Sequence, residues 1–185
     1  MINEILNDAE RRMKKSSETV AAEFTRIRTG RASPALLDHI MVDYYGNSVP
    51  IAQAATVSVS DARTLQVQAW EKSMVAAIER AIMESDLGLN PMTAGEVIRI
   101  PLPALSEERR IEMTKIVRHE GENGKIAIRN IRRDALGDAR DLVKEKEIGK
   151  DEERRAEAEI QILTDRFVGL VEQMVSEKET EVMEV

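Results

Sequence analysis

Three long stretches of the chain place apolar residues at three- and four-residue spacings, the pattern of amphipathic helices. They cover residues 2–28, about 106–147, and the segment after Gly149. In the first, the pattern is carried by Ile2, Ile5, Leu6, Ala9, Met13, Val20, Phe24 and Ile27, and in the last by Ile160, Leu163, Phe167, Leu170, Val171, Met174 and Val175. Because such helices bury their apolar faces against one another, we predict a long antiparallel three-helix bundle.

The region between the first two helices has a different pattern. Short β-branched, alternating runs at Ile40–Tyr44, Thr56–Ser60, Thr64–Gln68 and Glu96–Ile100 predict strands, and residues 73–86 predict one helix. We therefore predict an α+β protein in which residues 1–29 and 105–185 form the bundle and residues 31–104 form an inserted small α/β-type domain.

The chain must cross between these two predicted domains twice. The first crossing contains Thr29, Gly30 and Arg31, and the second contains Pro101, Leu102, Pro103, Ala104 and Leu105. Gly30 is also expected to end the first helix, because glycine readily adopts the left-handed conformation that closes helices. Two short crossings with glycine in one and prolines in the other predict a double hinge.

The composition limits the classes of protein. Aromatic residues make up 3% of the chain, so aliphatic cores are expected, with Phe24, Phe167 and Trp70 as exceptions and Met74, Met83 and Met92 as filler in the small domain. The absence of cysteine excludes disulfides and thiolate metal sites and fits a reducing compartment. We see neither a signal peptide nor an apolar run of the ~20 residues that a membrane span requires.

The distribution of charge indicates a binding surface. The net charge is -7, yet residues 125–133 contain four basic side chains and no acidic one. On a helix, Lys125, Arg129, Arg132, Arg133 and the earlier Arg118 fall within a sector of roughly 100°. We call these five residues the basic strip. We expect them to face solvent opposite Met113, Ile116, Ala127 and Ile131, near the end of the section shared by all three helices, where arginine suits phosphate.

No catalytic or metal site is predicted. The segment Gly121–Lys125 lacks the spacing, the Ser/Thr and the preceding strand of a phosphate-binding loop, and His119 and His39 lie in different predicted domains. An ordinary solvated helix face is the alternative interpretation of the strip. Gly121, Gly124 and Gly137 are expected to weaken the helix, and a bend near Gly121–Gly124 is allowed.

Four motifs in order along the chain resemble those of bacterial ribosome recycling factors. They are Ile27-Arg-Thr-Gly-Arg-Ala-Ser-Pro34, Ser85-Asp-Leu-Gly-Leu-Asn-Pro91, Arg99-Ile-Pro-Leu-Pro103 and Arg129-Asn-Ile-Arg-Arg-Asp-Ala135. The likeness runs from the first residue to the last. It implies an L-shaped protein in which a flexible elbow, at Thr29–Arg31 and Pro101–Leu105, joins a three-helix bundle to a small α/β-type domain.

The resemblance also implies a function. Members of the family bind the large ribosomal subunit after termination and, with elongation factor G and GTP, split the ribosome from messenger and tRNA. They are not enzymes, since elongation factor G hydrolyses the nucleotide. The implied ribosomal RNA contacts are Arg28, Arg31, Arg110, Arg129, Arg132 and Arg133, to which the strip adds Arg118 and Lys125. We expect a cytoplasmic monomer with no cofactor and no metal.

Two other classes of function remain open at this point. The bundle could be a coiled-coil-like adaptor whose basic strip pairs with an acidic protein. An enzyme is disfavoured because no catalytic constellation is present.

Overall fold

The computed structural model describes residues 1–27 and 29–184. In this part of the chain, the α-helices are α1 (Ile2–Arg26), α2 (Val75–Glu84), α3 (Glu107–Lys144) and α4 (Lys150–Met183). The strands are β1 (Met41–Tyr44), β2 (Asn47–Pro50), β3 (Ala55–Asp61), β4 (Thr64–Ala69), β5 (Met92–Ala94) and β6 (Val97–Pro101). The α+β class is confirmed. These elements form two units, one of residues 1–27 and 107–184 and the other of residues 29–106.

The first unit is a bundle of α1, α3 and α4, each packed on the other two. Its core is aliphatic except for Phe24 and Phe167, both of which are buried. Contacts between α1 and α3 run from Val20 beside Gly124 to Arg12 beside Asp134, so these helices are antiparallel.

The basic strip lies farther from the end of the bundle than predicted. The start of α1 reaches the last turns of α3, where Met1 and Glu4 line a cleft with Asp141 and Glu145. Because α1 accompanies α3 this far, residues 129–133 lie well within the shared section, and the expectation that they lie near its end was wrong.

The second unit contains two antiparallel sheets, a β1–β2 hairpin and a four-stranded sheet of order β3-β4-β6-β5. Its core joins α2 to both sheets through side chains such as Ile78 and Ile82 of α2, Val42 of β1 and Ile98 of β6. Alternation along β4 and β6 buries every second residue, as the period of a strand facing one core requires.

Several predicted details of this unit were wrong. The turn predicted at Tyr45–Ser48 is shorter in the structure, because Asn47 and Ser48 belong to β2 and pair with β1. Strand β5 was missed. Met83, Met92 and Trp70 are 59, 60 and 61% exposed and take no part in the core, whereas Met74 is buried.

The end of α1 also differs from the prediction. The helix stops at Arg26, and Ile27 is already extended, with φ -77° and ψ 115°. Gly30 has the expected left-handed conformation, at φ +78°, but lies beyond the helix end and shapes the crossing.

Candidate nucleic-acid interface on the long helix

The basic strip lies beside the buried face of α3. The residues that α3 buries are Met113, Val117, Gly121, Gly124, Ile128, Ile131, Ala135 and Ala139. Their common direction is roughly 80° from Lys125 around the helix axis. Lys125 and Arg132 are therefore half-buried at the edge of the core, while Arg118, Arg129 and Arg133 are exposed. The predicted opposite face was partly wrong, because Ile116 is 42% exposed.

Two glycines let α3 approach its neighbours closely. A Cβ atom on Gly121 would lie closer than 3.0 Å to Cγ2 of Val175 on α4, and one on Gly124 equally close to Cγ2 of Val20 on α1. Valine side chains in helices have one strongly preferred rotamer, so these neighbours yield little. Helix α3 runs without interruption through both positions, so the helix-weakening glycines serve packing.

The close contact at Gly121 and Val175 has an ion pair on either side. One turn towards the carboxyl end of α3, Lys125 lies with its Nζ 3.7 Å from Oε1 of Glu172 on α4. One turn in the other direction, Arg118 donates to the carboxylate of Glu179. Because α3 and α4 are antiparallel, a residue one turn after Gly121 faces one that precedes Val175, and a residue one turn before Gly121 faces one that follows Val175.

Glu122 supplies a further negative charge within α3. Its Oε2 lies 3.1 Å from Nζ of Lys125, and its Oε1 accepts a 3.3 Å hydrogen bond from Nη1 of Arg129. The hydrogen bond from Lys125, more than the charge of Arg129, lowers the pKa of Glu122 below its usual value. The absence of acidic residues between 125 and 133 thus does not leave the strip free of carboxylates, contrary to the expectation from the sequence.

The remaining two cations of the strip, Arg132 and Arg133, have no carboxylate partner among the described residues. Nη1 of Arg132 donates to the neutral amide oxygen of Gln161 on α4, at 3.2 Å. Nε of Arg132 is buried and has no hydrogen-bond partner within residues 1–27 and 29–184. The exposed guanidinium of Arg133 has no carboxylate within 4.0 Å in the same part of the chain. Arg132 and Arg133 therefore keep their full charge for an anionic ligand.

The other predicted contact residues lie elsewhere. Arg110 is half-buried in the first turn of α3, and its buried Nε has no hydrogen-bond partner among the described residues. Arg31 is exposed in the small unit. Arg28 lies outside the described residues.

Two residues at the crossings, Ala32 and the predicted hinge residue Leu102, bond the turn between β3 and β4. The backbone N–H of Ala32 donates to the carbonyl oxygen of Ala62 at 2.8 Å, and that of Leu102 to the carbonyl oxygen of Arg63 at 2.7 Å. A Cβ on Gly30 would lie 3.2 Å from Cγ of Leu105. Pro101 is the last residue of β6, so it and Leu102 are tied to the sheet, and Pro103, Ala104 and Leu105 follow it.

Within the described residues, no three His, Cys, Asp or Glu side chains are grouped so as to hold a metal ion. None of the helices there has the length and apolar character needed to span a membrane. Sequence reasoning missed Gln161, Glu172 and Glu179, which complete the surroundings of the strip from α4. The helical period alone identifies no partner on a second helix.

These features define a two-unit α+β protein whose helical bundle presents a partly neutralised basic face. Comparison with known proteins gives the family. The family described as "Ribosome recycling factor" matches residues 20–183. A ribosome-recycling factor of Legionella pneumophila (strain Paris) is 58% identical over 185 residues, covering 100% of both chains. The chain belongs to the ribosome recycling factor family, whose members are translation factors.

Two solved structures agree with this assignment. A solution structure of the ribosome recycling factor has a TM-score of 0.72 and 40% identity, covering 100% of this chain and 98% of that chain. A second has a TM-score of 0.64 and 46% identity, with 98% of each chain covered. It represents the T. thermophilus ribosome recycling factor and the E. coli elongation factor G bound to the E. coli post-termination complex.

Proposed function

We propose that this protein binds the large ribosomal subunit of post-termination complexes and, together with elongation factor G and GTP, splits the ribosome from messenger and tRNA. Membership of the family and the similarity to a recycling factor seen with elongation factor G support this proposal. In this proposal, the protein acts as a monomer in the cytoplasm, and elongation factor G, not this protein, hydrolyses GTP.

The bundle docks on ribosomal RNA through the basic strip. The observation that carries this step is that Arg132 and Arg133 have no carboxylate partner in the described structure, whereas Arg118, Lys125 and Arg129 do. Folded RNA is recognised largely through its backbone and shape, and a guanidinium binds phosphate with two parallel hydrogen bonds. Arg28, Arg31 and Arg110 provide further phosphate contacts.

Co-sedimentation with purified large subunits at several salt concentrations tests this docking. Each phosphate contact that is lost should flatten the dependence of log affinity on log salt by about one unit. The double variant Arg132→Ala, Arg133→Ala should therefore bind at least about tenfold more weakly at low salt. Arg11→Ala is the matched control, since Arg11 is an exposed arginine of α1 paired with Asp8.

Unchanged affinity and salt dependence in the folded double variant would contradict RNA docking by the strip. If the double variant still bound large subunits but no longer bound an acidic protein that the wild type binds, the result would instead support the alternative of an adaptor protein. A splitting assay with ribosomes, elongation factor G and GTP then tests the function itself, and no splitting by the wild-type protein would refute it.

The two crossings act as the elbow through which a push on the small unit is passed to the bundle. Gly30 supports this role because its φ of +78° disfavours any side chain and Leu105 leaves little space beside it. In the same assay, Gly30→Val should reduce splitting more than subunit binding. An equal loss of both activities would argue against an elbow at this position.

A further inference from the structure

The side chain of Arg132 is held by two consecutive hydrogen bonds along α4. Nη1 of Arg132 donates to Oε1 of Gln161 at 3.2 Å, and Nε2 of Gln161 donates to Oδ1 of Asp165 at 2.8 Å. Gln161 and Asp165 are four residues apart, so they are neighbours on one face of the helix. We propose that Gln161, oriented by Asp165, is a positioning residue that presents Arg132 to the ribosomal RNA.

The order of atoms in this arrangement matters because an amide has two different ends. Its oxygen accepts hydrogen bonds and its nitrogen donates them. Asp165 accepts only, so it fixes the nitrogen of Gln161 towards itself and the oxygen towards Arg132. Without Asp165, the amide is free to turn its NH2 group towards the guanidinium, which cannot accept it.

The neutrality of Gln161 is as important as its position. Carboxylates pair with Arg118, Lys125 and Arg129 and partly cancel their charges. At Arg132 the contact from α4 is an amide, which restrains the side chain without placing a carboxylate directly on the guanidinium. A long side chain that is already ordered loses less conformational entropy when it binds phosphate.

The burial of Arg132 supports a restrained side chain. Its Nε has no exposed surface and no hydrogen-bond partner among the described residues, so Gln161 holds the outer end of a guanidinium whose inner end is against the bundle. Nη2 makes no hydrogen bond with the described residues, so it remains as a donor for phosphate.

Large-subunit co-sedimentation with a double-mutant cycle tests this inference, which rests on the proposed function. Gln161→Ala should weaken binding about threefold to tenfold, the cost of ordering one long side chain on binding. Its salt dependence should not change, because no charge is removed. In an Arg132→Ala background the same substitution should have no effect, whereas a merely structural loss would appear in both backgrounds.

Gln161→Glu gives the sharper result. It places a carboxylate on Arg132, so it should flatten the salt dependence by about one unit although no basic residue is lost. The matched control is Gln173→Ala, because Gln173 makes the same hydrogen bond to the carboxylate four residues ahead, Glu177, at 2.9 Å. Circular dichroism should show all variants folded.

The outcomes separate this inference from the proposed function. If Arg132→Ala weakens binding and Gln161→Ala does not, or weakens it equally in both backgrounds, the positioning role is refuted and RNA docking stands. If Arg132→Ala leaves binding unchanged, the positioning role is refuted, and the double variant Arg132→Ala, Arg133→Ala then decides whether the strip docks on RNA at all. Weakening by Gln161→Ala only when Arg132 is present, with Gln173→Ala unchanged, supports the inference.

Discussion

The two ends of the basic strip, Arg118 with Lys125 and Arg132 with Arg133, differ in the side chains that α4 places beside them. Around Gly121, α4 approaches closely and contributes the carboxylates of Glu172 and Glu179 to Lys125 and Arg118. Farther along α3, the same helix contributes the amide of Gln161 to Arg132. The number of basic residues therefore overstates the unpaired positive charge around Arg118 and Lys125. Around Arg132 the number of basic residues and the unpaired positive charge agree.

The comparison shows how packing controls electrostatics on a bundle. Helices α3 and α4 come close where Gly121 meets Val175, and the two ion pairs lie one turn to either side of that contact. Exposed ion pairs of this kind contribute little to stability, typically about 0–1 kcal/mol, but each one lowers the local attraction for polyanions.

The largest expected effect follows from filling the space between Gly121 and Val175. Gly121→Ala should lower the free energy of unfolding of the bundle by about 2 kcal/mol, because the new methyl group must displace Val175 or the helix backbone. Gly137→Ala is the matched control, since nothing lies within 4 Å of its Cβ position. It should raise stability by up to about 1 kcal/mol through helix propensity.

Urea denaturation followed by two signals measures this effect. Far-ultraviolet circular dichroism reports mainly on the long helices, while Trp70, the one tryptophan of the chain, reports on the small unit. Gly121→Ala should shift the first transition and leave the second in place. Equal shifts for the two glycine variants, or a gain in stability for Gly121→Ala, would show that the space at Gly121 does not matter.

An intermediate effect is expected when a partner of Lys125 loses its charge. Glu172→Gln should strengthen binding to large subunits about twofold to threefold at low salt and steepen its salt dependence, since Lys125 then keeps only Glu122 of its two carboxylate partners. Glu177→Gln removes the same charge from a residue that accepts a hydrogen bond from Gln173 and pairs with no basic side chain in the described part of the chain, so it should have a smaller effect. Equal gains would assign the change to net charge alone.

The smallest effect concerns pH and Glu122. Its pKa is lowered in the folded protein by the hydrogen bond from Lys125, so the pair stabilises the fold above the ordinary pKa of a glutamate. This contribution is lost as the pH falls through the lowered pKa. The difference in free energy of unfolding between the wild type and Glu122→Gln should thus be greatest near neutral pH and vanish in acid. Urea midpoints measured from acid to neutral pH test it, and a difference that grows in acid would contradict the assignment.

The helices and the order of elements could be predicted because they follow from local periodicity. Helix α3 was expected to end near residue 147 and ends at Lys144, and α4 begins at Lys150, within the reversal predicted at residues 149–151. Strand β5, of three exposed residues, has no alternation to detect and exists because it pairs with β6.

The candidate site was predicted only in part, because its surroundings depend on tertiary contacts. The residues of the strip were correctly placed on one side of α3, but the carboxylates from α4 are more than forty residues away in sequence. The packing role of Gly121 could not be predicted either. A glycine that only weakens a helix and a glycine that makes room for a valine of a neighbouring helix look the same in the sequence.

The small unit begins and ends at the same place. Hydrogen bonds from Ala32 and Leu102 reach adjacent residues of the β3–β4 turn, and Gly30 lies against Leu105. An insertion whose two ends meet replaces a short turn in its host without separating the elements that the turn connects, so it adds little loop-closure entropy. Both ends of the small unit are therefore held together by the β3–β4 turn.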